Sequence, residues 1–389
     1  MCCVIMERKQ ELDNIRWITV VLVMVYHVIY IFNSQGVLSN FPVQGIKRMD
    51  IFLYLVYPWF MVLLFVVAGV SAKYALKTRS AKAFAKDRFL RLLIPSVVIM
   101  FLLGWICGLV SNYYSDIFNG NHDKLPGIIR YVIYSFCGIG PLWFARELFL
   151  ASMVLLLVRK LDRKDRLSNL CGNIKWWGFI ILYLSFWGSS FLLNTPYIEV
   201  YRNGIYINSF LMGYYIFSNE SIVEKLRKIK KILVPVSCVC AVGYCVYICT
   251  MIEPQATDNI FTTVNYTSMS VLRHPFTNLY AFLMILTVFS VAKDWLAFRG
   301  AFAAFMTKAN FGYYALHYPC LCVVAFVSYE KLHLPIWSCY LVNLIGMLLL
   351  TTILYMVLSR IPVLKSLTLG IYERRVKKDV SESRSESKV

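Results

Sequence analysis

Few ionisable side chains fall within or beside the long apolar runs of this 389-residue sequence, and their types suit proton transfer and anion binding. If those runs lie in lipid, a charged group there is costly, so each one is a candidate functional residue. Histidine takes up and releases protons near neutral pH, and paired guanidinium groups bind phosphate. The candidates are Arg16, His27, Arg88, Arg91, Arg146, Glu147 and His317.

Arg16 and His27 are spaced to share one face of a helix. Eleven residues make almost three turns, which separates the two by about 16–17 Å along the axis. Arg16 then lies at the mouth of the first apolar run, and His27 lies slightly beyond its middle as a buried general base. In the alternative interpretation, a neighbouring polar group satisfies His27, and Arg16 only anchors the helix at the interface.

Arg88 and Arg91 are three residues apart, so they also share a helical face. They follow a run of cations at the start of the third apolar segment. Two guanidinium groups in this arrangement suit a phosphate-bearing ligand. The alternative is that they only set the orientation of the helix in the membrane.

His317 lies in the ninth apolar run, a few residues short of its middle, followed by Pro319, which is expected to kink the helix. Since this run enters from the same side as the first, we expect His27 and His317 at similar depths on helices that adjoin. A purely structural hydrogen bond from His317 is the alternative. Arg146 and Glu147, beside Trp143, either anchor the fourth run or line an acceptor site.

The composition identifies the surroundings of these residues. Hydrophobic residues make up 59% of the chain and charged residues 16%, which is far fewer charges than soluble domains carry. The net charge of +19 is concentrated in short segments between apolar runs, which suits lipid headgroups rather than nucleic acid. Membrane lipid is therefore an expected partner and nucleic acid is not.

The apolar runs predict an all-α, polytopic membrane protein with about ten transmembrane helices. With both termini cytoplasmic, 32 of the 40 Lys and Arg residues lie inside and 7 outside, as the positive-inside rule requires. We expect one transmembrane domain over residues 1–370 and a disordered cytoplasmic tail over 371–389. The predicted spans are Ile15–Phe32, Ile51–Ala72, Phe89–Val110, Leu142–Val158, Trp176–Leu193, Gly204–Phe217, Ile232–Ile252, Pro275–Ala292, Phe311–Tyr329 and Leu334–Leu358.

The twelve cysteines do not indicate a metal site. Most lie inside apolar runs, no CxxC pair occurs, and none has zinc-ligand spacing with a histidine. We expect no bound metal and no permanently bound cofactor.

Several segments together resemble one known family. Leu12-Asp-Asn-Ile-Arg16 followed by His27, Phe65-Val-Val-Ala-Gly69-Val-Ser71, and Arg88-Phe-Leu-Arg91-Leu-Leu-Ile-Pro95 are similar to motifs of the membrane acyltransferase-3 family. Leu142-Trp143-Phe144 and the segment ending at His317 resemble later landmarks. The resemblance spans essentially the whole chain, and residues 65–95 look closest to the glucan succinyltransferase branch.

The resemblance implies an enzyme that moves an acetyl or succinyl group from cytoplasmic acyl-CoA to a hydroxyl of a glycan or other cell-surface acceptor. His27 and Arg16 would be catalytic, and Arg88 and Arg91 would bind the donor. His317, Glu147 and Arg146 would serve the acceptor or support the site. The expected location is the plasma membrane of a bacterium.

Two other functions also fit the residues. A transporter or flippase for an anionic glycan or lipid would use the same basic mouth and buried histidines, although the sequence has no matching pair of broken helices. A sensory or assembly component would keep the fold and bind acyl-CoA without turnover.

Overall fold

The computed structural model describes residues 9–372, apart from positions 36, 38, 40, 42, 163–165, 173, 195–201 and 256–263. Within this part of the chain all regular structure is helical, as predicted. The predicted disordered tail lies outside the described residues, except for its first two positions.

Eight helices in the described ranges are long and apolar enough to cross a membrane. Each has at least 21 residues, and about 20 are needed to span the hydrocarbon core. The chain is therefore a polytopic helical membrane protein, as the sequence predicted. The eight are α1 (Gln10–Tyr30), α2 (Lys47–Thr78), α3 (Ala81–Ser115), α5 (Gly140–Leu161), α9 (Lys230–Gln255), α10 (Pro275–Trp295), α11 (Ala301–Lys331) and α12 (Ile336–Arg360).

The two remaining predicted spans form short helices, and only the fifth is shorter than predicted. The fifth becomes the 12-residue helix α6 (Gly178–Ser189), and the sixth becomes α7 (Asn203–Met212), which continues through Gly213–Phe217. At 1.5 Å per residue neither reaches the roughly 30 Å of a hydrocarbon core. The shorter labelled helices are α4 (Gly127–Cys137), α6 (Gly178–Ser189), α7 (Asn203–Met212) and α8 (Glu220–Lys228), and further short helices cover Arg166–Gly172, Met269–Arg273 and Pro362–Leu369.

Ion pairs tie several helices together at the end of the bundle where α1 begins, which we call the basic end. Lys9, just before α1, pairs with Glu220 of α8. Lys293 of α10 pairs with Glu220 at 2.6 Å and with Glu224 at 2.8 Å. The hydrogen bond from Lys293 holds the pKa of the Glu224 carboxyl below its usual value. These contacts fix α1, α8 and α10 relative to one another.

The helices divide into an inner and an outer set. Most residues of α2 and α11 are buried, whereas most residues of α9 and α12 are only partly buried or exposed. The exposed residues are large and apolar, for example Val239 at 73% and Leu341 at 60% exposure. Such surface is stable only against lipid, so α9 and α12 lie at the periphery of the bundle.

Two glycines bring α2 and α7 into backbone contact. A Cβ atom at Gly69 would lie 2.0 Å from the carbonyl oxygen of Phe210, and one at Gly213 would lie 2.0 Å from that of Val66. Small residues allow this close approach between helices in membranes. The contact also fixes Ser71, two residues beyond Gly69, which bonds to Arg16.

Gly69→Ala should lower the melting temperature of the purified protein by several degrees, because the added methyl group forces α2 and α7 apart and overpacking costs about 1–3 kcal/mol. Thermal unfolding in detergent measures the change. Gly188→Ala in α6 is the matched control, since a Cβ atom there meets nothing within 4 Å. Equal melting temperatures for the two variants would contradict this account.

Candidate active site

A cavity of about 360 Å³ opens in the half of the bundle away from the basic end. It lies among α1, α2, α5, α7 and α11. Its polar lining includes His27, Arg202 and Thr267, and much of the remaining wall is aromatic. The aromatic residues are Tyr26, Tyr30, Tyr57, Phe60, Trp143, Tyr206, Tyr314 and Tyr318.

His27 and His317 meet beside this cavity. Nδ1 of His27 lies 3.2 Å from Nε2 of His317, because α1 and α11 pack together at matching depth. His317 is fully buried, while His27 is partly exposed and lines the cavity. The prediction that the two histidines lie at similar depth on adjoining helices is confirmed.

Backbone carbonyl groups fix the protons on both rings. Nδ1 of His317 lies 2.7 Å from the oxygen of Tyr314, and Nδ1 of His27 lies 2.8 Å from that of Val23. A carbonyl oxygen only accepts, so each Nδ1 carries the hydrogen. In the neutral rings both Nε2 atoms are then acceptors, and His27 shares its Nδ1 hydrogen between Val23 and His317.

This assignment leaves Nε2 of His27 as an unprotonated nitrogen at the cavity. It has no hydrogen-bond partner among the described residues. Were Nε2 to take a proton, the resulting imidazolium would donate through Nδ1 to two acceptors that are already in place. The pair therefore has the arrangement of a general base with a supporting group behind it.

Arg16 lies at the basic end, about three helical turns from His27. Its guanidinium group donates to Ser71 at 2.7 Å and pairs with Asp13 at 3.2 Å. It also lies within electrostatic reach of Arg88. These contacts put Arg16 beside the predicted phosphate-binding arginines rather than beside His27.

Arg88 and Arg91 lie in the first three turns of α3, after Ser80, which caps the helix by accepting from the Ala83 amide at 3.2 Å. Their surroundings differ. Arg91 donates to Asp87 at 2.8 Å and to the Gly370 carbonyl at 3.3 Å. Arg88 lies 4.8 Å from the Phe84 ring centre, and its buried Nε has no partner among the described residues. Of the two guanidinium groups, that of Arg88 thus has more donors available for a ligand.

Arg146 and Glu147 lie behind the cavity wall on α5 rather than in it. Arg146 acts electrostatically on Tyr314 and Glu147 on Tyr206, and both tyrosines line the cavity. Glu147 is fully buried, and its carboxylate oxygens have no hydrogen-bond partner within the described ranges. The two residues can shape the wall without touching a ligand in the cavity.

Sequence reasoning missed Arg202 and most of the tyrosines. In the sequence, Arg202 is only one of the seven Lys and Arg residues on the predicted outer side. In the structure it is 4% exposed and lines the cavity. Tyr206 and Tyr318 look in the sequence like ordinary apolar-run residues. Their common role appears only when α1, α7 and α11 are assembled around one space.

Comparison with known proteins gives one match. The family model of acyltransferase-3, described as an acyltransferase domain, matches residues 9–360. No curated protein and no solved structure matches the chain significantly. Since the match covers all of the spanning helices and both histidines, this polytopic chain belongs to the membrane acyltransferase-3 family.

Proposed function

We propose that this membrane acyltransferase moves an acyl group from acyl-CoA, bound at the basic end, to a hydroxyl group in the cavity beside His27. The observation that carries the proposal is that His27 lines the cavity with its Nδ1 held by Val23 and His317, which leaves Nε2 without a partner among the described residues. A base so held is ready to accept a proton from a bound hydroxyl group.

In this reaction Nε2 of His27 takes the hydroxyl proton as the oxygen attacks the thioester carbonyl carbon. The tetrahedral intermediate breaks its carbon–sulfur bond, and the leaving thiolate takes the proton back from His27. The products are the ester and CoA thiol. The same nitrogen would serve if His27 carried the acyl group briefly as a nucleophile. His317 accepts from Nδ1 throughout and stabilises the imidazolium.

The acceptor proposed is a sugar hydroxyl of a cell-surface glycan. The cavity wall supports this choice, because tyrosine rings pack on the apolar faces of sugars and their hydroxyl groups bond to sugar hydroxyls. The acyl group is acetyl or succinyl, and the membrane is the plasma membrane of a bacterium.

The donor proposal assigns the CoA phosphates to the arginines of the basic end. Arg16 and Arg91 each lie within electrostatic reach of Arg88. Arg16 then helps to bind the donor and does not act at the reacting carbonyl, since three helical turns separate it from His27.

Arg88→Gln should weaken acyl-CoA binding by about tenfold or more, because a charge-assisted hydrogen bond contributes about 1.5–3 kcal/mol. Arg91→Gln should weaken binding less and lower the melting temperature more, since Arg91 is held by Asp87 and Gly370. Dissociation constants from titration calorimetry test this. Lys82→Gln removes an exposed cation of the same segment as a control. Equal losses for Lys82 and Arg88 would contradict a specific phosphate site.

Release of CoA thiol tests the function directly. The purified protein in nanodiscs is given acetyl-CoA or succinyl-CoA with a glycan-containing membrane extract as acceptor. Thiol release that requires both the extract and His27 is expected, and the preferred thioester identifies the acyl group. Binding of neither thioester would refute the proposal.

A further inference from the structure

Arg202 is a buried cation in the wall of the reaction cavity. It directly precedes α7 and is 4% exposed. Its Nε and Nη2 atoms are shielded from solvent and have no hydrogen-bond partner among the residues that the structure describes. Guanidinium groups in this situation normally pair with a carboxylate or phosphate, because an unpaired buried charge is strongly destabilising.

The groups around Arg202 are neutral. It lies 5.7 Å from the centre of the Tyr206 ring and acts electrostatically on the hydroxyl groups of Tyr57 and Tyr244. Glu147 also acts on Tyr206, but within the described ranges neither of its carboxylate oxygens has a hydrogen-bond partner, so it does not pair with Arg202. Arg202 also lies within hydrogen-bonding reach of the Tyr206 hydroxyl group. Neither this neutral group nor the cation–π contact satisfies the Nε and Nη2 donors.

The position of Arg202 indicates what would satisfy those donors. Arg202 and His27 line the same cavity, so an anion held by Arg202 belongs to a molecule that also reaches His27. The planar fork of a guanidinium group matches the paired oxygens of a carboxylate or phosphate. No carboxylate of the described chain occupies this role.

We propose that Arg202 is a specificity-determining residue that binds a carboxylate or phosphate group of the substrate in the cavity. This inference rests on the proposed function, because it assumes that acyl transfer takes place in this cavity. The anion has two sources, the far end of a dicarboxylic acyl group or an acidic group on the acceptor.

Binding measurements in the His27→Ala background test the proposal without turnover. One arm compares succinyl-CoA with acetyl-CoA. The other compares glucuronate and glucose 6-phosphate with glucose. At least one charged probe should have a dissociation constant about tenfold lower than that of its counterpart without the added charge. Arg202→Gln should remove that preference. The succinyl arm would assign the anion to the acyl group, and the sugar arm to the acceptor.

Two variants separate recognition from folding. Arg202→Lys keeps the charge but loses the bidentate fork, so it should retain part of the preference. Arg273→Gln is the matched control, because Arg273 lies nearby over the Phe191 ring, outside the cavity lining. It should leave all dissociation constants unchanged.

Thermal unfolding supplies a second readout. A buried cation without an anionic partner destabilises the ligand-free protein. Arg202→Gln should therefore raise the melting temperature of that protein by about 1–3 °C. A lower melting temperature would mean that Arg202 supports the fold and would overturn the proposal. So would charge preferences that are absent, or that survive in Arg202→Gln. Failure of thiol release alone would remove the acyl-transfer mechanism and leave this anion site standing.

Discussion

CoA thiol release is expected to fall by about a thousandfold when His27 is replaced by alanine, while the dissociation constant for acyl-CoA stays nearly the same. A positioned general base contributes about 10²–10⁴-fold to rate. Binding should survive because the arginines proposed to bind the donor phosphates lie near the other end of α1, about three turns away. The expected signature is therefore a loss in kcat with little change in donor affinity.

The measurement needs two control variants. One keeps most of the side-chain volume at position 27, and the other removes a histidine outside the site. His27→Gln keeps most of the side-chain volume and should be as inactive as the alanine variant, since an amide is not a base at neutral pH. His333→Asn replaces an exposed histidine between α11 and α12, where the backbone φ of 49° is one that asparagine tolerates. Activity in His27→Gln close to that of the native protein would rule out the base.

The second large effect is expected at His317, which in the proposed mechanism acts on the reaction only through His27. His317→Leu removes the acceptor for the Nδ1 hydrogen of the His27 imidazolium. A hydrogen bond to a charged group contributes about 1.5–3 kcal/mol, so kcat should fall by about tenfold to a hundredfold. KM should change little, because His317 is fully buried and does not line the cavity.

His317→Gln distinguishes this positioning role from a structural one. The glutamine oxygen is an acceptor at a similar reach, so this variant should recover a measurable part of the lost rate. Thermal unfolding of both variants, measured alongside the kinetics, separates rate effects from misfolding. If the leucine and glutamine variants lost equal activity, or if the leucine variant kept the full rate, the role assigned to His317 would be wrong.

The parts of this molecule that follow from helix geometry were predictable from sequence. Apolar run length identified the eight long helices, and the rise per residue put His27 and His317 at the same depth. These features depend on a single helix or on a distance counted along one, and neither requires knowledge of how the bundle packs.

Features that arise between helices were not predictable. The sequence gives no reason to distinguish Arg88 from Arg91. In the structure, however, only Arg91 of the two donates hydrogen bonds to Asp87 and to the Gly370 carbonyl. Arg202 resembles a loop cation until α7 is packed beside the cavity. The length of α6 was also missed, because an apolar run does not by itself reveal where its helix ends.

The axial distance between the arginines and His27 has a consequence for the direction of the reaction. In the proposed mechanism the groups that bind the CoA phosphates lie at the basic end of the bundle. The ester forms in a cavity that opens toward the opposite end. Donor and acceptor then need not share an aqueous compartment. Chemistry arranged in this way is vectorial: the activated carrier stays on one side, and only the small acyl group crosses.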